Sequence, residues 1–427
     1  MACMALATLS GCIESLIVDG PITISSPEPS GAITKVSLSE EQQACVRAGN
    51  AFAFNTLAQL YKEAPGSMVF SPLSLQYALA MTVNGASGQT AGEITKVLGY
   101  GEDLTALNEY CNILLRELPA VDPDVALKLT DALLVHKKYP LQKAFSKVMN
   151  DTYYAPVEYI NPSSPKEIVD RINEWARQNT NGFIYPLLKQ DDITPDFAAA
   201  IMNALYFKAR WSGGDHNPMF REELTIKNQP FYLDGGGQTK VDMMPAARNF
   251  PYAKRDGYRV AAIPYSNGKY SMYILLPDES GKEGLSKLMN KLPGEKWEDI
   301  TASLTKDTEV ILRLPKFESE SRFELPRTMK ALGMRRAFDD KSAEFDLMFD
   351  VPEEQFYISN IIQKARINVA EWGTEAAAVT VVIIEKDGSA GPGQHEEVHF
   401  YADHPFVYVI AEQTSGAILF EGVFTGR

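Results

Sequence analysis

Residues 369–387 read Val-Ala-Glu-Trp-Gly-Thr-Glu-Ala-Ala-Ala-Val-Thr-Val-Val-Ile-Ile-Glu-Lys-Asp, and the composition changes along this stretch. Small residues come first and β-branched residues follow, which favours an extended strand. Side chains alternate between the two faces of a strand, and one face here carries Thr374, Ala376, Ala378, Thr380, Val382 and Ile384. The other face carries Ala377 and Val379 between Glu375 and Glu385. We expect such a strand to slip between two neighbouring strands without bulky groups obstructing it.

The residues that follow this stretch predict a loop. Residues 386–393 read Lys-Asp-Gly-Ser-Ala-Gly-Pro-Gly. Glycine, proline and serine in such a cluster are typical of loops. A latent strand that leads directly into an open loop indicates a segment that moves.

Four segments of the chain resemble one known protein family. Residues 371–380 are similar to the hinge of the reactive loop in serpins, and residues 69–75 resemble the strand and helix beneath the central sheet of those proteins. Residues 203–211 and 403–406 are close to two further serpin motifs. The resemblance extends over about residues 40–424. It implies one α+β domain with the serpin fold, in which a large central β-sheet is joined by further sheets, about eight to nine helices and an exposed reactive loop.

The resemblance also implies roles for particular residues. The hinge would comprise Glu371, Gly373, Thr374, Glu375, Ala376, Ala377, Ala378, Val379 and Thr380. The shutter at the centre of the large sheet and the breach at its top would contain Ser71, Ser74, Asn203, Trp211, Lys316 and Gln363. Glu371 is expected to pair with Lys316. Gln363 stands where the family usually has histidine, and its side chain can still form a hydrogen bond with Asn203. Trp372 stands where an acidic residue is commoner.

The position of the reactive bond is left with alternatives. Counting seventeen residues from Glu371, in the way usual for the family, places the bond between Asp387 and Gly388. A register one residue shorter places it after Lys386, which would suit trypsin-like proteases. The loop is also longer than is typical, so that cleavage after Ser389 or Ala390 stays open.

The function implied by the resemblance is inhibition and not catalysis. A target protease, serine or alternatively cysteine, would attack the loop and form an acyl-enzyme. The freed hinge would then insert as a new strand of the large sheet and distort the attached protease. The chain would thus be an inhibitory serpin of bacterial type, not an enzyme, that acts as a monomer and needs no cofactor. The alternative is a non-inhibitory serpin that serves as a binding protein or a substrate.

The composition restricts the partners of the protein. The chain has 427 residues, a net charge of −14 and 45% hydrophobic residues, which is ample for a large core. The negative charge argues against nucleic acid as a partner. No run of apolar residues is long enough to span a membrane.

The first residues predict export. Residues 1–11 are small and apolar, and Leu9-Ser10-Gly11-Cys12 resembles a bacterial lipobox, in which Cys12 would carry the lipid. No lysine or arginine precedes this part, unlike in most export signals, and a simple extension is the alternative. Residues 12–37 would form a flexible tether, and residues 38–427 the serpin domain, with the reactive loop at about 371–398. We therefore expect the domain to lie outside the cytoplasm, at the cell surface, in the periplasm or secreted, with the lipid as its only membrane contact.

Two motifs that suggest an enzyme are not expected to form active sites. His395-Glu396-Glu397-Val398-His399 fits the H-E-x-x-H zinc pattern, but this pattern requires a helix. The surrounding residues favour a strand, in which residues four apart are separated by roughly 13 Å. Asp403 and His404 are expected to point to opposite faces of a strand, and the sequence has no G-x-S-x-G. We expect no metal site. Cys45 and Cys111 are expected to be buried thiols.

Overall fold

Three β-sheets with helices packed around them make up the part of the chain that the structure describes. The computed structural model describes residues 33–427 except 102, 194–195, 215–216, 281 and 375–396. The helices in these residues are α1 Glu40–Glu63, α2 Pro72–Val83, α3 Gly88–Leu98, α4 Leu104–Glu117, α5 Lys143–Tyr153, α6 Pro165–Asn179, α7 Lys282–Lys291, α8 Trp297–Ala302 and α9 Pro326–Leu332. In the described residues none of these helices is long and apolar enough to cross a membrane.

Strands that follow one another along the chain often belong to different sheets. They are β1 Met68–Phe70, β2 Ala126–His136, β3 Val157–Ile160, β4 Ala199–Arg210, β5 Ile226–Tyr232, β6 Gln238–Arg248, β7 Tyr252–Arg255, β8 Tyr258–Pro264, β9 Tyr270–Pro277, β10 Glu309–Pro315, β11 Phe317–Glu324, β12 Ile362–Ala370, β13 Gly373–Thr374, β14 Glu397–Tyr401, β15 Phe406–Glu412 and β16 Ile418–Phe424. The large sheet has the order β11-β12-β13-β4-β2-β3, a second sheet β1-β16-β15-β9-β8-β7, and a third β14-β10-β6-β5. The predicted fold, α+β with a large central sheet and about nine helices, is confirmed.

Local sequence signals set the helix that lies beneath the large sheet. Helix α2 begins after Ser71, whose side-chain oxygen accepts a hydrogen bond from the N–H of Ser74, and Pro72 occupies the first helical position. Proline is favoured there because the missing N–H would have no helical partner. The helix is buried along nearly its whole length against the large and second sheets. It therefore holds Ser71 and Ser74 at the centre of the molecule.

The second sheet forms the centre of the core. Every residue of β9, β15 and β16 is buried. Strands β8 and β9 are joined by a tight turn that contains Asn267 and Gly268, a pair of residues that favours hairpin turns. A rigid sheet in this position gives the large sheet a fixed surface to pack against.

The expectation that Asp403 and His404 point to opposite faces of a strand was wrong. Strand β14 ends at Tyr401 and β15 begins at Phe406, so both residues lie in the connection between them. The side chains meet, with His404 Nδ1 2.9 Å from Asp403 Oδ1. His404 Nε2 lies 2.9 Å from the carbonyl oxygen of Pro277 at the end of β9. Since both ring nitrogens have these partners within the fold, the histidine fastens the connection to the second sheet.

Strand β13 divides the large sheet into two parts. Its two residues pair antiparallel with Val369–Ala370 of β12 on one side and with Ala209–Arg210 of β4 on the other. Below Thr374, no backbone pairing joins β4 to β12 in the described residues. The two strands instead form the walls of a cleft of about 570 Å³. We call this space the sheet cleft.

Candidate functional site

The turn between β12 and β13 is fastened by a charged hydrogen bond. Lys316 Nζ lies 2.8 Å from Glu371 Oε2, and Thr225 Oγ1 donates to Glu371 Oε1 at 2.6 Å. The Glu371 side chain is 11% exposed. Burial alone would raise the pKa of this carboxyl group, but the hydrogen bonds from Lys316 and Thr225 hold the pKa below its usual value. The expected contact between Glu371 and Lys316 is present, and Thr225 is a partner that the sequence did not indicate.

Close contact between backbones makes glycine necessary at position 373. The residue has a φ of +152°. A Cβ atom at this position would lie 2.1 Å from the carbonyl oxygen of Ala209 and 2.7 Å from the Cα atom of Arg210. Any other residue would therefore push β13 away from β4. Gly373 is the residue that lets the chain turn down between the two strands.

The next residue, Thr374, is held by a buried phenol. Thr374 is 3% exposed, and its hydroxyl lies 2.6 Å from the hydroxyl of Tyr265. The Tyr265 ring stacks on the indole of Trp211, with centroids 4.4 Å apart and planes 9° from parallel. The sequence did not point to Tyr265, which precedes an ordinary hairpin turn. Its role as a support for the hinge arises only when the second sheet packs beneath the large sheet.

Trp211 fixes the top of the large sheet, where the sequence predicted it. Its indole Nε1–H donates to the carbonyl oxygen of Ala370 at 2.8 Å, and its backbone N–H donates to the carbonyl oxygen of Trp372 at 3.2 Å. The ring of Trp372 in turn lies beneath the Lys208 ammonium, 5.6 Å from the nitrogen to the centroid. The aromatic residue at position 372 thus interacts with a cation, as an acidic residue could.

At the centre of the sheet, Gln363 binds the backbone of the residue that caps α2. Its Oε1 accepts from the N–H of Ser71 at 3.1 Å, and its Nε2 donates to the carbonyl oxygen of Ser71 at 2.9 Å. The hydroxyl of Ser71 donates to the carbonyl oxygen of Leu419 at 2.8 Å. These contacts connect β12 of the large sheet through α2 to β16 of the second sheet.

Gln363 and Asn203 form no hydrogen bond with each other in the described residues. Asn203 Nδ2 donates instead to Asp131 Oδ1 of β2, at 2.7 Å. The reason is the separation of β4 from β12 at this level, which leaves the sheet cleft between the two amides. Ser71, Ser74, Asn203 and Gln363 all line this cleft, but from opposite walls and from its floor.

The walls of the sheet cleft have the chemistry of strand edges. One wall consists of residues 199–207 of β4 and the other of residues 362–368 of β12. Between these walls the backbone N–H and C=O groups are not paired across the cleft in the part of the chain that the structure describes. Such edges are ready to accept another strand. Side chains from α2 and α6, including Leu75 and Trp175, give the cleft an apolar lining.

Several predicted site residues lie outside the described residues. They are Cys12, Glu375, Ala376, Ala377, Ala378, Val379, Thr380, Lys386, Asp387, Gly388, Ser389 and Ala390. Of the described hinge, shutter and breach residues, five line the sheet cleft: Ser71, Ser74, Asn203, Gln363 and Thr374. Gly373 pairs with β4 beside Thr374, and Glu371, Lys316 and Trp211 hold the turn between β12 and β13 that precedes it.

The zinc-like motif runs into a strand in the described residues. His399 lies on β14, where its Nδ1 is 2.9 Å from the hydroxyl of Tyr401, whereas His395 and Glu396 lie outside the described residues. The described part of the chain contains no group of three histidine, cysteine or acidic residues that could hold a metal. Cys45 and Cys111 are buried free thiols, as predicted. Burial, followed by the nearby charge of Glu41, raises the pKa of Cys45 to about 11. A thiol of this kind is a poor nucleophile at neutral pH.

Comparison with known proteins gives consistent matches over nearly the whole chain. Residues 47–426 match the protein family described as "Serpin (serine protease inhibitor)". An uncharacterized serpin-like protein from Thermococcus kodakarensis is 33% identical over 389 residues, which cover 90% of this chain and 85% of the relative. The structure of cleaved Serpin 42Da shares 29% identity, with a TM-score of 0.79, over 90% of this chain and 99% of that one. The native structure of tengpin, a thermophilic serpin, shares 25% identity, with a TM-score of 0.78, over 93% of this chain and 97% of that one.

Proposed function

Because the chain belongs to the serpin family, we propose that it traps a protease by inserting its own cleaved reactive loop into the sheet cleft. Serpins are typically protease inhibitors and not enzymes. The observation that carries the proposal is the position of β13. Its residues already pair with both β12 and β4 at the top of the cleft, and the chain continues from Thr374 into the small residues of the hinge.

The proposed mechanism uses the chemistry of the target protease. Its serine, or alternatively cysteine, attacks a carbonyl carbon in the reactive loop and forms an acyl-enzyme, while the new amino terminus leaves with the C-terminal part of the loop. The hinge then enters the sheet cleft as a strand and forms hydrogen bonds with both walls. Insertion pulls the attached protease along and distorts its active site before water can release it.

The small side chains of the hinge support insertion over binding alone. Ala376 and Ala378 share a face with Thr374, and this face is the one that would enter the molecule. Thr374 is itself buried against Tyr265. Larger groups at these positions would slow insertion relative to release of the protease. If the hinge inserted slowly, the protease would be released and the protein would be its substrate instead of its inhibitor.

The test is incubation of the purified protein with a panel of serine and cysteine proteases. We expect at least one protease to form a covalent complex that survives boiling in SDS. Mass spectrometry of the released C-terminal peptide then identifies the reactive bond among the candidates after Lys386, Asp387, Ser389 and Ala390. A variant with Thr374→Arg should be cleaved at the same bond without forming the complex, because a charged side chain cannot enter the buried site of Thr374. Cleavage without any complex in the unmodified protein would favour the non-inhibitory alternative.

We also propose that the domain is held outside the cytoplasm by a lipid on Cys12. The lipobox-like residues 9–12 and the proline- and serine-containing residues that follow support this proposal. The test is expression of the full chain in a bacterial host, followed by detergent phase separation and mass spectrometry of the N-terminus. Cys12→Ser should abolish partition into the detergent phase, whereas Cys3→Ser should leave it unchanged. An unprocessed N-terminus in the unmodified protein would refute the anchor.

A further inference from the structure

A buried acid and a buried amide face each other across two strands of the large sheet. Asp131 on β2 and Asn203 on β4 are direct partners in the antiparallel register. Asp131 is 3% exposed. Asn203 Nδ2 donates to Asp131 Oδ1 at 2.7 Å. The remaining two oxygens, Asp131 Oδ2 and Asn203 Oδ1, are buried and form no hydrogen bond within the described residues.

One proton would satisfy both of these oxygens. An ionised carboxylate can only accept hydrogen bonds, as can the amide oxygen, so the two atoms cannot bond each other in that state. If Asp131 Oδ2 carries a proton, it can donate to Asn203 Oδ1, and the acid and the amide then share two hydrogen bonds in a ring. Buried polar atoms without partners are rare because they are costly. The protonated acid is therefore the state that fits this geometry.

Among the described residues, no basic side chain neutralises a charge on Asp131. No ion pair joins Asp131 to a basic side chain in the described residues. The titratable groups around it are Tyr77 of α2, Cys111 of α4 and Tyr153 of α5. Tyr77 donates its hydroxyl proton to the carbonyl oxygen of Cys111 at 2.7 Å, and Tyr153 donates to Asn108 Oδ1 at 2.7 Å. Burial raises the pKa of all three groups, so they stay uncharged at neutral pH.

We propose that Asp131 is a proton-binding site of the native protein, at which the protonated acid forms a two-bond pair with Asn203 and joins β2 to β4 at the centre of the large sheet. This site does not depend on the proposed inhibitory function, because it concerns the folded protein before any protease is bound. In agreement with the geometry, burial raises the pKa of Asp131 to about 7, although the hydrogen bond from Asn203 lowers it in part.

The sign of the resulting pH dependence follows from the two pKa values. The unfolded chain releases this proton near pH 3.8, whereas the folded protein keeps it up to about pH 7. Between these values the folded state binds more protons, so that raising the pH favours unfolding. From pH 5.5 to pH 8, Asp131 should lower the folding equilibrium constant by about 30-fold. The effect should end above about pH 8, where both states have lost the proton.

The first test compares the pH dependence of unfolding in the full-length protein and in Asp131→Asn. Asparagine keeps the shape and can still form two hydrogen bonds with Asn203, but it does not titrate in this range. We expect the stability of the unmodified protein to fall by about 30-fold relative to the variant between pH 5.5 and pH 8. The control is Asp124→Asn, at an exposed position just before β2. Its stability relative to the unmodified protein should be the same at both pH values. Measurements start at pH 5.5 because the isoelectric point is about 5.0. A constant difference for Asp131→Asn would overturn the proposal.

The second test observes the proton itself and needs no variant that folds. Carboxyl ¹³C resonances of aspartate-labelled protein should include one that is still protonated at pH 6, and that titrates near pH 7. Infrared spectra should show the carbonyl band of a buried protonated acid at the same pH. If every aspartate is ionised at pH 6, the acid–amide pair does not exist.

Discussion

Among single residues, Gly373 is one whose replacement the structure strongly restricts. In Gly373→Ala, the new Cβ would fall 2.1 Å from the carbonyl oxygen of Ala209, at a φ of +152°. We expect β13 to detach from β4. The ratio of inhibitor molecules cleaved as substrate to protease molecules trapped should therefore rise. Titration of protease activity against inhibitor concentration measures this ratio. Gly101→Ala is the control, because no atom lies within 4 Å of a Cβ there. An unchanged ratio in Gly373→Ala would show that the start of β13 does not govern insertion.

The pair of Glu371 and Lys316 gives a prediction about pH. The folded-state pKa of Glu371 lies below its usual value of 4.5, so the pair stabilises the folded state above that pH and loses its effect as the pH falls through the folded-state value. Glu371→Gln should lower the stability by about 1 kcal/mol at pH 7, a modest value because the lysine is partly exposed. The difference from the unmodified protein should vanish at strongly acidic pH. Denaturant unfolding at neutral and at acidic pH measures the difference in stability, with Glu353→Gln at an exposed position as the control. A difference independent of pH would mean that the charge of Glu371 is not involved.

Single contacts could be predicted only when they depend on short stretches or on a family pattern. The capping of α2 by Ser71 follows from the local sequence, and the contact between Glu371 and Lys316 was found by resemblance. The partner of Asn203 could not be predicted in this way, because it depends on which strand lies beside β4 at that level. Thr225 and Tyr265 were missed for the same reason, since they reach the hinge from positions next to the ends of β5 and β8 in other sheets.

Among the elements, the open edges of β4 and β12 predict that the sheet cleft accepts a separate strand. A synthetic peptide with the sequence of residues 373–384 should bind in the cleft and raise the midpoint of thermal unfolding, because it binds the folded state alone. The occupied protein should no longer form covalent complexes with the protease. A peptide of the same composition in scrambled order is the control. If both peptides had equal effects, the cleft would not select the hinge sequence.

Local sequence signals mark the ends of several elements but not the connections between them. Ser39 caps α1, Ser71 caps α2, Gly333 follows the end of α9, and Asn267 and Gly268 lie in the turn between β8 and β9. Asp403 and His404 were placed on a strand because apolar residues surround them. In the structure, the N–H of Tyr232 donates to the carbonyl oxygen of Asp403 at 2.8 Å, and these contacts with distant strands shape a connection instead. Periodicity along the chain cannot show such contacts, because their partners are distant in the sequence.

In the whole molecule, the sheet cleft implies that the intact chain has a more stable arrangement available. In the part of the chain that the structure describes, β13 pairs with β4 and β12 only at the top of the sheet cleft. Filling the cleft with the hinge would add about a dozen backbone hydrogen bonds, each contributing roughly 0.5–1.5 kcal/mol. We expect the intact chain to restrain insertion, because the residues that follow the hinge are connected at residue 397 to β14 of the third sheet. Cleavage within the loop removes this constraint.

Cleavage of the reactive loop should therefore stabilise the protein, although breaking a chain usually has the opposite effect or none. We expect the midpoint of thermal unfolding of the cleaved protein to exceed that of the intact protein by roughly 10 °C or more, given the hydrogen bonds gained. Circular dichroism or scanning calorimetry of the two forms measures the shift. The control is Thr374→Arg, in which the charged residue at the cleft entrance should prevent insertion, so that the cleaved variant unfolds at about the same temperature as the intact variant. If the cleaved and intact proteins unfold at the same temperature, the loop does not enter the large sheet, and the chain cannot trap a protease by insertion.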